Sequence, residues 1–173
     1  MPSPRRTVEF VAAHEGFVPH IYKDTRGYLT FGYGFRPPLE AYPWLPDVRT
    51  AHADAEMLMS APEGKHHRYY AKMCRASLSE AACRNILAQK LEALSLSPTL
   101  AKDWRFNALP QPAQVALLDM AYNLGIAGLG KFLRLRAAVV TNNWAIAARE
   151  CKRQGPGETR NAATAALFLE CEK

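Results

Sequence analysis

Two carboxylates and a hydroxyl stand close together near the start of this 173-residue chain. Glu15 precedes Gly16, Asp24 follows nine residues later, and Thr30 comes six after that. Hydrolysis of a glycosidic bond needs one protonated carboxylic acid at the leaving oxygen. It also needs a second group that attacks the sugar carbon or orients a water. Glutamate as a residue type suits the first task because burial readily favours its neutral form. An aspartate and a threonine on an adjoining hairpin would hold a water between them. The same residues have plain structural uses as well, since Glu-Gly ends helices and Asp opens turns.

Three elements must position these groups. Ser3-Pro4 reads as a helix start, Val8, Val11 and Ala12 as its apolar stripe, and Gly16 as its stop, which puts Glu15 in the last turn. Residues 20–23 and 28–33 read as two short strands joined by Asp-Thr-Arg-Gly, with Gly27 as the permissive turn residue. Strand parity then sets Tyr28, Thr30, Gly32 and Gly34 against Leu29, Phe31, Tyr33 and Phe35. The four prolines between Arg36 and Pro46 predict an ordered loop anchored by Tyr42 and Trp44.

Helical patterns dominate the remainder. Thr50 caps a helix to about Met59, residues 60–67 break it, and Ser77-x-x-Glu80 reads as a capping box for a helix to about Leu96. The most apolar segment follows Pro110-x-Pro112 and closes at Gly125, with a small turn at 126–130. Residues 132–140, 144–152 and 159–171 complete the helices. The expected architecture is α+β but mainly α. It is one domain over 1–173, with a small N-terminal hairpin lobe at about 16–60 and a larger helical lobe.

A hydrophobic content of 49% with 22% charged residues fits a soluble globular chain, and the net charge of +6 favours anionic partners. A nucleic-acid-binding helical domain would gather its cations on one face. Here only Arg134, Arg136, Arg149, Lys152 and Arg153 cluster loosely, so no nucleic acid is expected. No apolar run reaches a membrane span, and the two arginines near the N-terminus lack the apolar core of a secretory signal. Stable membrane insertion is therefore not expected. The four cysteines lack metal-type spacing. Either all four are reduced thiols or they pair, and the neighbours in sequence, Cys74–Cys83 and Cys151–Cys171, are the expected bridges.

Read together, Glu15-Gly16 and Tyr22-Lys-Asp24-Thr-x-Gly27-Tyr-x-Thr30-x-Gly32-x-Gly34 closely resemble the signature of the phage-type lysozymes. Met120-Ala-Tyr-Asn-Leu-Gly125 with Gly128 and Phe132 is similar to that family's buried central helix and the turn after it. Trp144–Ala148 and Thr159-Arg-Asn-x-x-Thr164 with Leu167-Phe168 extend the likeness over most of the chain. The resemblance implies a lysozyme-like fold. It implies a muramidase that cuts the β-1,4 bond between N-acetylmuramic acid and N-acetylglucosamine, with no metal and no organic cofactor. Glu15 would be the general acid, and Asp24 and Thr30 would position the attacking water, with inversion. On the hairpin side it implies Tyr22, Gly32, Tyr33, Gly34 and Phe35 at the substrate. On the helical side it implies Asn123, Phe132 and Arg160, the last matching an arginine that pairs with the catalytic glutamate.

Two departures stand out. Phe35 replaces the histidine that many members carry after Gly-x-Gly, so any ion pair made there is lost. Residues 36–76 are longer and richer in proline and aromatics, which looks more like the lysozyme-like domains of pesticin-type toxins and injected muramidases. Trp44, Tyr69 and Tyr70 are open to two roles, lining a sugar cleft or packing in the core. The substrate implies synthesis in the cytoplasm without a cleaved signal and action in the periplasm or cell wall. A toxin would also require a periplasmic immunity protein in its producer. The enzyme is expected to be a monomer. An inactive peptidoglycan-binding protein and a lytic transglycosylase are the alternatives.

Overall fold

The computed structural model describes residues 4–36 and 48–172. The expected Ser3 cap and the loop anchors Tyr42 and Trp44 lie outside them. The fold is lysozyme-like, α+β and mainly α: 63% is helical, and the only sheet among the described residues is a two-stranded antiparallel one. By contacts the chain divides into two compact units, Glu15–Leu87 and Met1–His14 with Ala88–Lys173.

In the Glu15–Leu87 unit the chain leaves α1 (Pro4–Glu15) through Gly16 at φ +73°, a conformation that suits only glycine there. Strands β1 (Val18–Lys23) and β2 (Leu29–Gly32) pair antiparallel, with Tyr22 opposite Thr30 and Lys23 opposite Leu29. The second strand ends earlier than the alternation suggests. Gly32 and Gly34 both take positive φ, and the chain reverses between them, closed by Phe31 and Phe35 exchanging N–H···O bonds of 2.9 and 2.8 Å. Tyr33 and Phe35 therefore do not sit on a regular strand face.

Helices α2 (Val48–Met59) and α3 (His67–Ala71) flank the hairpin, and α3, which begins where the broken stretch 60–67 ends, was not foreseen. Lys23 is buried, and its ammonium donates to the carbonyls of Met59 and Ala61 at 3.0 and 2.7 Å. It thereby fixes β1 to the carbonyl end of α2, where a cation is favoured. The buried Asp54 carboxylate accepts from the amides of Arg75 (2.9 Å) and Ala76 (2.8 Å), tying the later loop to α2. Helix α4 (Glu80–Ser95) is capped by Ser79, whose hydroxyl accepts from the Ala82 amide at 3.4 Å, and not by the expected Ser77. Glu80 is taken up elsewhere. It accepts from the Tyr33 hydroxyl at 2.8 Å and from Arg84 at 3.0 Å.

The second unit contains α5 (Pro98–Asp103), a single 3-10 turn (Phe106–Ala108), α6 (Gln111–Leu129), α7 (Leu133–Val140), α8 (Trp144–Glu150) and α9 (Glu158–Glu170). Helix α6 packs on α9, and α8 on both α7 and α9. Gly125, at φ 72° and ψ 164°, interrupts α6 where the sequence placed its end, and 126–129 form one more helical turn rather than a loop. Every residue from Ala113 to Ala121 is buried. Asp119 is among them, and a buried carboxylate must be paired. Its Oδ1 accepts from Arg160 Nη2 (2.7 Å) and Nε (3.0 Å), and its Oδ2 from Arg153 Nη2 (2.8 Å). Thr164 Oγ1 also accepts from Arg153 Nη2 at 2.7 Å. Arg153 is thus no part of a surface basic cluster; it is 3% exposed.

Neither expected disulfide forms, and all four cysteines are free. Cys74 Sγ donates to the Ile21 carbonyl, Cys151 to Ala148 and Cys171 to Leu167. Cys83 lies buried beneath Gly32, its sulfur 3.0 Å from where a Cβ would stand. Burial pushes Cys74, Cys83 and Cys151 up to about 11, which keeps them as thiols at neutral pH. The buried charges of the second unit give a direct test. Asp119→Ala strands two guanidiniums, so denaturant unfolding should show a loss of about 3–5 kcal/mol. A loss under about 1 kcal/mol would contradict the pairing.

Candidate active site

The Glu15–Leu87 unit contains an open cleft of about 710 Å³ whose lining includes Glu15, Tyr22 and Asp24. Each of these comes from a different local device. Glu15 closes α1 just before the Gly16 turn, Tyr22 lies on β1, and Asp24 begins the hairpin turn. Burial raises the Tyr22 hydroxyl above its usual 10, and the charges of Asp24 and Glu15 raise it further. Both carboxylates therefore act on one phenol, which stays protonated and able to donate.

The two Asp24 oxygens have different surroundings. Oδ1 accepts from the amides of Arg26 (2.8 Å) and Tyr28 (2.9 Å), an Asx-type arrangement that builds the turn from its first residue. The turn is completed by the Gly27 amide donating to the Asp24 carbonyl at 3.0 Å, with Gly27 at φ +79°. Oδ2 faces Arg36 Nη2 at 3.4 Å, and the guanidinium lies 4.1 Å over the Tyr28 ring. The sequence implied that replacing histidine with Phe35 removes an ion pair near this point. A cation one residue further on, Arg36, instead reaches Asp24. Half exposed, this pair adds little to stability.

Thr30 is buried and stands across the ladder from Tyr22, so both side chains share one face of the hairpin. Its hydroxyl donates to the Tyr28 carbonyl at 3.0 Å, and the oxygen keeps lone pairs for a second partner. Gly34 lies beside Glu15: a Cβ built on it would be 3.7 Å from Glu15 Oε2.

Three hairpin residues expected at the substrate are packed inside instead. Tyr33 is 1% exposed, and burial, then the bond its hydroxyl donates to Glu80, push that hydroxyl up to about 12. Phe35 is 2% exposed and edge-on to Phe31. Gly32 has Cys83 and Phe35 at 3.0 Å from any added Cβ, so its small size serves internal packing. Tyr70 is also a core residue, donating to the Pro62 carbonyl at 2.7 Å, whereas Tyr69 is exposed. Asn123, exposed, Phe132, half-buried, and Arg160, buried on Asp119, belong to the second unit.

Sequence reasoning missed Arg36, Lys23 and the cleft residues of 64–67. It also missed Asp119, although a lone charge inside the most apolar helix is a readable signal of a buried pair. Among the described residues, no cluster of three or more His, Cys, Asp or Glu is placed to hold a metal ion. No described helix is long and apolar enough to cross a membrane.

The mainly helical α+β fold with its two-stranded hairpin is lysozyme-like, and a helix-ending glutamate and a turn aspartate line one cleft of the Glu15–Leu87 unit. The family model described as phage lysozyme matches residues 12–162, and the chain belongs to that family. It is accordingly a peptidoglycan-cleaving enzyme of the lysozyme type, a glycoside hydrolase. No curated protein matches the chain.

The division of labour at Asp24 has a measurable consequence. Asp24→Asn keeps an oxygen for the Arg26 and Tyr28 amides, whereas Asp24→Ala removes it. Denaturant unfolding should find Ala less stable than Asn by about 1–3 kcal/mol. Equal stabilities would show that Oδ1 does not hold the turn.

Proposed function

We propose that the enzyme is a muramidase that hydrolyses the β-1,4 bond between N-acetylmuramic acid and N-acetylglucosamine by a single inverting displacement. The observation that carries this reading is the shared cleft of Glu15 and Asp24. Glu15 gives its proton to the glycosidic oxygen as the bond from the anomeric carbon to that oxygen breaks. A water held by Asp24 and Thr30 attacks the anomeric carbon from the opposite face, and its proton passes to Asp24.

The surroundings of each group suit these tasks. With Asp24 Oδ1 committed to two turn amides, Oδ2, which faces Arg36 at 3.4 Å, keeps a lone pair to accept from water. With the Thr30 proton on the Tyr28 carbonyl, its oxygen is an acceptor for that water's second hydrogen. Gly34 leaves the space beside Glu15 clear of a side chain, which lets a sugar approach the carboxyl. The mechanism calls for no metal and no organic cofactor.

The substrate places the working site in the periplasm or cell wall, as an endolysin or an antibacterial effector. The proline- and aromatic-rich stretch 36–76 supports the effector reading, which entails a periplasmic inhibitor protein in the producing cell.

Digestion of purified peptidoglycan by the wild type and by Glu15→Gln, with products read by mass spectrometry, tests the proposal. The wild type should release muropeptides with reducing ends, and Glu15→Gln should be slower by at least about a hundredfold. Anhydro ends would make the enzyme a lytic transglycosylase. Equal rates would remove Glu15 from the acid role.

A further inference from the structure

The Asp24 carboxylate is held at both oxygens by groups that trace back to one residue, Tyr28. Oδ1 accepts from the Tyr28 amide at 2.9 Å, beside the Arg26 amide at 2.8 Å. Oδ2 faces the Arg36 guanidinium at 3.4 Å, and that guanidinium lies 4.1 Å over the Tyr28 ring. The Tyr28 carbonyl accepts from the Thr30 hydroxyl at 3.0 Å and from the Asp24 amide at 2.9 Å. The amide, carbonyl and ring of Tyr28 thus each hold a part of the pair that the proposed mechanism assigns to the water. Tyr28 is exposed, so its ring is not there to fill the core.

A carboxylate pinned at one oxygen is not yet aimed. The last torsion of an aspartate side chain is broad, so the amides on Oδ1 leave Oδ2 free to swing. Arg36 supplies the second point. Its guanidinium is planar, and stacking on the Tyr28 ring restricts the plane from which Nη2 reaches Asp24. A carboxylate oxygen accepts at more than one position, so the arginine occupies one side of Oδ2 and leaves another for water. As a half-exposed ion pair this contact adds little to stability, and its effect belongs in the rate.

We propose that Arg36, seated on the Tyr28 ring, is a positioning residue for the hydrolysis: it fixes the direction in which Asp24 Oδ2 meets the attacking water. The proposal rests on the reading of Asp24 as the group that holds that water. Arg36 acts through Asp24 and needs no contact with the sugar, and Tyr28 acts through Arg36. Lysine at this place keeps the charge and can lie over the ring, but it lacks the planar fork. Both side chains are exposed, so either can be changed without opening the core.

Steady-state kinetics on a soluble glycan from peptidoglycan test the role. Arg36→Ala should lower kcat about tenfold and leave KM within about twofold, the mark of a contact felt in the transition state and not in substrate binding. Its Tm should stay within about 3 °C of the wild type. Arg36→Lys should recover part of the lost kcat. Tyr28→Leu should lose about as much as Arg36→Ala, and the double variant no more than either alone, because the two residues act as one unit. A second readout does not depend on the reaction: the carbon-13 resonance of the Asp24 carboxylate should move in Arg36→Ala and in Tyr28→Leu. Wild-type kcat in Arg36→Ala, a rise in KM alone, losses that multiply in the double variant, or an unmoved resonance would overturn the positioning role. Products without new reducing ends from the wild type would count against the muramidase reading instead, and the resonance would still score the contact between Arg36 and Asp24.

Discussion

One carboxylate oxygen organises the hairpin that borders the candidate site. Asp24 Oδ1 accepts from two backbone amides within four residues of itself and so builds the turn that pairs β1 with β2. A charged acceptor makes such bonds about twice as strong as neutral ones. The rest of the hairpin follows from that turn. Tyr22 comes opposite Thr30, Gly27 comes under Glu63, and Arg36 returns over Tyr28. In the proposed mechanism the same geometry determines which oxygen is left for water, since the one spent on the turn cannot also hold it.

In the second unit the governing constraint is also a carboxylate, but a buried one. Asp119 lies in the apolar centre of α6 and is neutralised by Arg153 and Arg160, with Thr164 completing the network. Asn161 joins by accepting from the Arg153 amide at 3.1 Å and donating to its carbonyl at 2.9 Å. Such a network contributes little until it is complete and costs much when it is broken. It ties the middle of α6 to the start of α9, which explains why polar residues recur in a segment that otherwise reads as core. The exposed pairs, such as Arg5 with Glu9, carry no comparable weight.

Helix ends with a local cause were legible in the sequence. Gly16 and Gly125 mark chain directions that only glycine adopts easily, and both fall where the pattern put them. The hairpin and its Asp24–Gly27 turn were legible too, because Asp and Gly at those places favour a turn between two short strands. Strand parity was not, because two glycines at positive φ turn the chain between Phe31 and Phe35 and carry Tyr33 and Phe35 into the core. The short helix α3 and the wall at 64–67 were missed for a different reason. Their placement comes from Lys23, His20 and Glu63, contacts distant in sequence that no local pattern announces. The cysteines misled by proximity along the chain, when burial and carbonyl partners keep them as separate thiols.

In the proposed mechanism one carboxylic acid protonates the leaving oxygen while a water fixed by Asp24 and Thr30 attacks in the same step. The configuration of the first-formed product, followed by proton NMR on a soluble glycan before the new reducing end equilibrates, distinguishes this from its rival. A single displacement on a β-linked substrate predicts that the α-anomer appears first and the β-anomer only by later mutarotation. Initial appearance of the β-anomer would mean two displacements through a covalent intermediate, and would contradict the assignment of a water to Asp24 and Thr30.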